Sequence, residues 1–180
     1  MLRFLSLRLA LLALAAAPLL AQPAIYDLIL KNGRVLDPKN GRDGSFDIAI
    51  SRDRIARVAP HIPAVQGRRV VDAGGYLVTP GLIDIHGHFD VFGPTLSLNP
   101  DHNCLRYGVT TAVDAGTAGW KGFESFYEKT IEKADTRVLA FLNIVGAGMY
   151  GSGPGDVEND VSEMDVEAAV RMVKKYPDTI

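Results

Sequence analysis

The first part of the chain, up to about residue 79, alternates apolar and polar positions with a period of two, which predicts short β-strands. Asn32-Gly33 supplies the positive φ angles of a type I′ turn, so a hairpin is predicted around it. A second hairpin is predicted around the turn SRDR. Residues 22–79 are therefore expected to form a small antiparallel sheet with one buried face. The strand segments are YDLILK, RVLDP, FDIAIS, RIARVA, RRVVDA and YLVTP.

The periodicity changes at Gly81, from where strand-like and helix-like segments alternate three times over residues 80–180. The strand segments are β-branched or continuously apolar, as buried parallel strands are. Such alternation predicts parallel βα units, either as a small α/β sheet or as the front of a (β/α)₈ TIM barrel, which needs roughly 250 residues. Ser162 is placed as the N-cap of the last helix. The strands are LIDIHGH, VTTAVDAG and TRVLAFLNIVG, and the helices are NPDHNCLRYG, 122–135 and 161–176.

The first 21 residues have the composition of an export signal. Arg3 and Arg8 precede the apolar run LALLALAAAPLLA, and Ala21 is a small residue at the expected cleavage point. The run is shorter than the roughly 20 residues that span a bilayer, so export is favoured over the alternative, an anchoring helix. We therefore expect a periplasmic or secreted protein without a stable membrane anchor.

Charge and cysteine content narrow the function classes. Removing the leader changes the formal net charge from −2 to about −4. The chain has no block of basic residues with interleaved aromatic residues, so no nucleic-acid partner is expected. Cys104 is the only cysteine, which excludes an internal disulfide framework and a multi-cysteine zinc site.

The stretch PGLIDIHGHFD carries the clearest candidate chemistry. Alternation along a strand puts Asp84, His86 and His88 on one face, and Ile83 and Ile85 on the face toward the packed helices. Two imidazoles one pleat repeat apart can converge on one metal ion, and Asp84 is placed to orient a histidine. The alternative is that both histidines are hydrogen-bonded strand-end residues without a ligand. Spacing alone leaves the two interpretations equally weighted.

Two further features follow the later strands. GAGMYG matches the glycine pattern of a dinucleotide-binding loop, but the next predicted helix begins about ten residues too late to meet a pyrophosphate. We interpret it as a loop over the site. Asp114 and Asn143 lie near the ends of the second and third strands and are candidates for substrate binding, with loop hydrogen bonding as the alternative.

Taken together, three stretches resemble the amidohydrolase superfamily, in its dihydroorotase and hydantoinase branch. They are KNGRVLDPKNG, VTPGLIDIHGH and VTTAVDAG with its continuation TAGW. The segments LRYGVTTAVDAGTAGW and RVLAFLNIVGAGM are most similar to the amidohydrolase/deacetylase set of metallohydrolases. The resemblance runs from about Tyr26 to the last residue.

The resemblance implies a (β/α)₈ barrel joined to a small β-sandwich made from both ends of a chain. It implies that His86 and His88 bind the more buried of two divalent ions, usually Zn²⁺. A carboxylated lysine on the fourth strand, histidines on the fifth and sixth, and a catalytic aspartate on the eighth would complete such a site. Lys174 and Lys175 precede the expected fourth strand and are not candidates for the bridging lysine. No catalytic residue is therefore expected within these 180 residues.

The implied activity is hydrolysis of an amide or ester bond of a small molecule by metal-activated water, with deacetylation as the leading reaction. A cyclic amidase is the alternative within the enzyme class. The alternative from another class is a non-catalytic fragment, because the sequence holds only the first three predicted βα units. We expect the 180 residues alone to be inactive and poorly folded. Self-association into a homo-oligomer stays open.

Overall fold

The computed structural model describes residues 25–92, 97–150 and 160–180. The predicted leader, residues 1–21, lies outside the described residues. The chain divides into two compact units after Pro80, close to the boundary expected from the sequence. Both contain β-sheet, and the second also contains the α-helices, so the predicted mixed α/β class is confirmed.

The first unit contains a mixed sheet of five strands, in the order β3-β2-β1-β4, with β5 also paired to β1. The pairs β1–β2 and β2–β3 are antiparallel, whereas β4 and β5 run parallel to β1. The prediction of an antiparallel sheet was therefore wrong for β4 and β5. The strands are β1 (Tyr26–Asp37), β2 (Arg42–Ser51), β3 (Arg54–Ala59), β4 (Gly67–Asp72) and β5 (Leu77–Val78).

The predicted hairpin at Asn32-Gly33 was wrong, because β1 continues through both residues. Asn32 does adopt the positive φ expected of it, at 62°, but it forms a bulge at which the register with β2 shifts. Its backbone N–H donates to Asp47 Oδ1 at 2.9 Å and its side-chain amide donates to Asp72 at 3.0 Å. These long-range partners keep the chain extended. The first hairpin instead turns at the 3₁₀ segment Pro38–Asn40.

A buried carboxylate, Asp47, organises the interior of this unit. It accepts hydrogen bonds from the Lys31 ammonium and from the backbone N–H groups of Asn32 and Ile62, both N–H distances being within 2.9 Å. Burial raises the pKa of Asp47, but these donors and the Lys31 charge outweigh that effect and hold the pKa below its usual value. Asp47 is therefore ionised and paired beside the apolar core of this unit.

The second unit contains a parallel sheet with the strand order β6-β7-β8. A helix follows each strand along the chain. Phe123 and Phe126 of the second helix pack with Ala118 and Ala140 of the sheet to form the main core. The backbone N–H of Ala140 also donates to the carbonyl of Thr179 at 2.8 Å, so the last residues return beside β8. The elements are β6 (Leu82–Gly87), α1 (Pro100–Asn103), β7 (Val109–Gly119), α2 (Phe123–Lys129), β8 (Arg137–Asn143) and α3 (Val166–Lys175).

One face of β6 departs from expectation. Ile83 and Ile85 were predicted to pack against helices, but their side chains are 65% and 71% exposed. In the part of the chain that the structure describes, that prediction was wrong, because no helix covers this face of β6. None of the helices among the described residues is long and apolar enough to span a membrane.

The N-cap of α3 is Asp165, not Ser162 as predicted. The Asp165 carboxylate accepts from the backbone N–H of Ala168 at 2.9 Å, whereas Ser162 lies in a preceding 3₁₀ turn (Val161–Glu163) that Asp160 caps. Residues 160–165 contain four acidic or hydroxyl residues, and periodicity alone does not select among them.

We expect Asp165→Ala to lower the free energy of unfolding of the second unit by about 1 kcal/mol, because α3 loses its capping acceptor. Ser162→Ala is the matched control and should change it by less than about 0.5 kcal/mol. Chemical denaturation of both variants measures the difference. Equal losses, or a larger loss from Ser162→Ala, would contradict the assignment of the cap.

Candidate metal centre

The HGH stretch lies at the carboxyl end of β6. The His86 ring is exposed and the His88 ring is half-buried, with 5.9 Å between ring centroids and an angle of 84° between ring planes. A Cβ atom at Gly87 would lie 2.2 Å from the buried Phe89 ring, so only glycine fits there. Glycine thus makes room for Phe89, on the opposite side of the strand from the imidazoles. Both histidines remain on one face, as alternation predicted.

The His88 ring is held by a hydroxyl from the neighbouring strand. Its Nδ1 atom lies 2.9 Å from Oγ1 of Thr117, a fully buried residue near the end of β7. This contact occupies Nδ1 and leaves Nε2 for a ligand. Sequence reasoning missed Thr117, although it directly follows the strand segment VTTAVDAG in the quoted stretch TAGW.

Asp114 connects the carboxyl ends of β6 and β7 through its hydrogen bonds. Its side chain is 0% exposed. Oδ2 accepts from the backbone N–H of Phe89 at 2.9 Å, and Oδ1 accepts from the backbone N–H of Thr117 at 2.7 Å. One carboxylate therefore fixes the residue after His88 and the residue that contacts the His88 ring. A buried carboxylate whose two oxygens both accept hydrogen bonds from backbone N–H groups is suited to holding the backbone in place rather than to contacting a ligand directly.

Asn143, at the end of β8, also holds a loop. Its side-chain amide donates to the carbonyl of Gly116 at 3.2 Å and its carbonyl oxygen accepts from the backbone N–H of Val145 at 3.0 Å. Gly116 has a φ of 87°, a conformation that favours glycine, and it directly precedes Thr117. Asp114 and Asn143 thus both bond to the last part of β7, at Thr117 and Gly116 respectively. A substrate-binding role for either residue stays a prediction.

Asp84 lies on the same strand and is half-buried. Its Oδ1 atom accepts from the backbone N–H of His86 at 3.0 Å. This bond stabilises the strand path at His86 through the backbone. The predicted role of Asp84 in orienting an imidazole stays a prediction.

Asp90 is a buried carboxylate that sequence reasoning did not identify. It accepts from the backbone N–H of Phe92 at 3.0 Å and from the Thr130 hydroxyl at 3.2 Å. Burial is the main cause that raises the pKa of Asp90, and the nearby Asp114 charge adds to it, while these donors oppose the shift. Its position two residues after His88 is the signal that could have identified it.

The remaining candidate ligands lie apart from this site. His61 is an exposed residue of the first unit, as predicted. His102 is exposed on α1, and Cys104 is a buried free thiol beside that helix whose pKa is raised chiefly by burial. Among residues 25–92, 97–150 and 160–180, no group of three histidine, cysteine or acidic side chains is arranged to hold a metal ion. The role of His86 and His88 as metal ligands stays a prediction.

The structure describes the glycine motif GAGMYG only as far as Tyr150. Gly148 begins a single 3₁₀ turn (Gly148–Tyr150), Gly151 lies outside the described residues, and α3 begins only at Val166. A pyrophosphate would need the N-terminus of a helix directly after the glycines. The interpretation of this segment as a loop over the site stays a prediction.

Comparison with known proteins agrees with the quoted motifs. No protein-family model matches the chain. It is 34% identical over 130 residues to a deacetylase of Agrobacterium fabrum, covering 72% of this chain and 32% of the relative. It is 46% identical over 68 residues to a dihydroorotase of Lactococcus lactis, covering 38% of this chain and 16% of that enzyme.

Two crystal structures resemble most of this chain. The structure of an adenine deaminase is 30% identical with a TM-score of 0.73, covering 86% of this chain and 40% of that one. The structure of a dihydroorotase is 28% identical with a TM-score of 0.71, covering 86% of this chain and 41% of that one. The chain belongs to the amidohydrolase superfamily. The chain spans about a third or less of the length of the curated relatives that it matches.

Proposed function

We propose that the full-length protein is a metal-dependent hydrolase that cleaves an amide or ester bond of a small molecule, with deacetylation as its leading reaction. The observation that carries the proposal is the placement of His86 and His88 on one face at the carboxyl end of β6, with the His88 ring fixed by Thr117. Enzymes built on parallel βα units place their chemistry at this end of the strands.

The proposal includes the architecture around the site. Strands β6, β7 and β8 would be the first three strands of a (β/α)₈ barrel, and the mixed sheet of the first unit would be part of a β-sandwich. The parallel order β6-β7-β8 and the structural match to amidohydrolases support this assignment.

The residues present fit a divalent ion. Neutral imidazole nitrogens suit Zn²⁺, and a metal-bound histidine normally has its other ring nitrogen hydrogen-bonded to a protein group. His88 meets this requirement through the contact of Nδ1 with Thr117, and the exposed His86 ring lies 5.9 Å from the His88 ring between centroids. Zinc, with two ions in the complete site, is the proposed cofactor. Further ligands would come from other parts of the full-length protein.

The chain's own residues prepare the site for hydrolysis. His86 and His88 would hold the ion, which when bound lowers the pKa of a water molecule and polarises the scissile carbonyl. Thr117 keeps the His88 ring in one orientation, and Asp114 holds the backbone on both sides of that contact. Such a rigid support limits the reorganisation needed during reaction.

The relatives favour two substrate classes. The match to a deacetylase covers the larger share of this chain, 72%, and favours removal of an acetyl group. The matches to dihydroorotases are shorter but 46% identical, and they favour a cyclic amide as the second candidate. A panel of N-acetyl and O-acetyl carboxylic acids beside dihydroorotate and hydantoins separates the two. Acetate release would support deacetylation, and ring opening alone would favour the cyclic amidase. Turnover of neither class by metal-loaded protein would overturn the proposal.

Removing metal is expected to abolish turnover of the full-length protein. Dialysis against a chelator should lower kcat/KM by at least about 10²-fold, because several kcal/mol of transition-state stabilisation depend on the ion. Adding back Zn²⁺, Co²⁺ or Mn²⁺ should restore activity, and Mg²⁺ serves as the control because it does not favour imidazole ligands. Full activity after removal of all detectable metal would contradict the proposal.

The export signal stays a prediction of residues 1–21, and the absence of a nucleic-acid partner stays a prediction of the charge pattern. A small-molecule substrate is the only partner that the proposal requires.

A further inference from the structure

We infer that Thr117 is a positioning residue that holds the His88 imidazole so that Nε2 is presented to the metal ion. The inference rests on the proposed function, because it gives Thr117 a role only if His88 binds metal. Thr117 is not part of the HGH stretch, and it is not among the site residues that the resemblance implies. It reaches the site through the hydroxyl contact of 2.9 Å with Nδ1.

The contact between His88 and Thr117 determines which atom donates the hydrogen bond and which accepts it. When Nε2 of a neutral imidazole binds a metal ion, Nδ1 carries the proton and acts as a donor. The Thr117 oxygen is then the acceptor, and a hydroxyl oxygen has lone pairs for this purpose. Because Thr117 is fully buried, water has little access to replace it as the partner of Nδ1. Loss of the hydroxyl would therefore leave the ring proton without its acceptor.

The position of Thr117 is itself fixed by backbone hydrogen bonds. Its N–H donates to Asp114 Oδ1 at 2.7 Å, and the other oxygen of the same carboxylate binds the N–H of Phe89, next to His88. The side-chain amide of Asn143 donates to the backbone carbonyl of Gly116, the residue before Thr117. Thr117 and the residue next to His88 are thus both hydrogen-bonded to one buried carboxylate. This arrangement sets the ring orientation before any ligand arrives.

The test measures zinc affinity of the full-length protein by competition with a chromogenic chelator. Thr117→Val keeps the shape of the side chain but removes its hydroxyl, and it should weaken zinc binding by about 10- to 100-fold. Thr117→Ser keeps the hydroxyl and should stay within about threefold of wild type. Thr111→Val, on the same strand but away from His88, is the matched control and should also stay within about threefold. Unchanged affinity in a folded Thr117→Val variant would overturn the inference.

A second measurement does not depend on any variant. In the zinc-loaded wild-type protein, the Nδ1 proton of His88 should be visible by NMR and exchange slowly with water, since Thr117 shields it. Exchange at the rate of a free imidazole would overturn the role of Thr117. Failure of the proposed function gives a different result, because wild-type protein would then bind no zinc through His86 and His88.

Discussion

Replacing His88 by alanine in the full-length protein is expected to lower kcat/KM by about 10³-fold or more, and His86→Ala should have a comparable effect. Each substitution removes a proposed metal ligand, and the ion contributes several kcal/mol of stabilisation to the transition state, with each 1.4 kcal/mol worth about a factor of ten. Both variants should also lose most of their bound metal. Steady-state kinetics and elemental analysis on the same samples measure the two losses.

His102→Ala is the matched control for these variants. His102 is an exposed histidine of the same unit, on α1, and it lies apart from the HGH stretch. Its replacement should leave kcat/KM within about twofold of wild type. Wild-type metal content and activity in both His86→Ala and His88→Ala would remove the basis for a metal centre at β6.

Replacing Asp47 by alanine should cause the largest loss of stability, about 3–5 kcal/mol in the free energy of unfolding of the first unit. The substitution leaves the Lys31 ammonium without its buried partner and removes the acceptor for two backbone N–H groups, those of Asn32 and Ile62. Asp43→Ala is the matched control on the same strand. Its pair with Arg34 is exposed on both sides, so the expected loss is below about 1 kcal/mol.

The contribution of Asp47 to the free energy of unfolding should also depend on pH, and it should decrease as the pH falls. Because the pKa of Asp47 is lower in the folded protein, its contribution is fully present above the ordinary aspartate pKa of about 3.9 and is lost as the pH falls toward the folded value. The stability difference between wild type and Asp47→Ala, measured by denaturant unfolding, should therefore shrink below about pH 4. A difference that is constant from pH 7 to pH 3, or that grows on acidification, would contradict this role for the carboxylate.

The sequence predicted features that depend on local periodicity. Alternation placed His86 and His88 on one face, and the change of period at Gly81 marked the start of the parallel sheet. Both results follow from short-range geometry, since side chains of a strand alternate and parallel strands need a connecting segment. The end of α3 at Lys175 likewise lies within one residue of the predicted helix end.

Features that depend on distant partners could not be predicted. Asn32-Gly33 has the local chemistry of a hairpin turn, but hydrogen bonds to Asp47 and Asp72 keep the strand extended. Thr117 is one of several threonines near β7, and only the fold brings its hydroxyl to His88, 29 positions earlier. Asp114 was expected at the site mouth, whereas its use in holding the backbone became evident only from the positions of the N–H groups around it.

The central claim is that His86 and His88 bind one metal ion together. X-ray diffraction from crystals of the zinc-loaded full-length protein, with data collected on both sides of the zinc absorption edge, tests it directly. We predict an anomalous peak about 2.0–2.1 Å from a ring nitrogen of each histidine, with Nδ1 of His88 still bonded to Thr117. A fully loaded crystal with its zinc peaks elsewhere, and none bridging these two rings, would contradict the account.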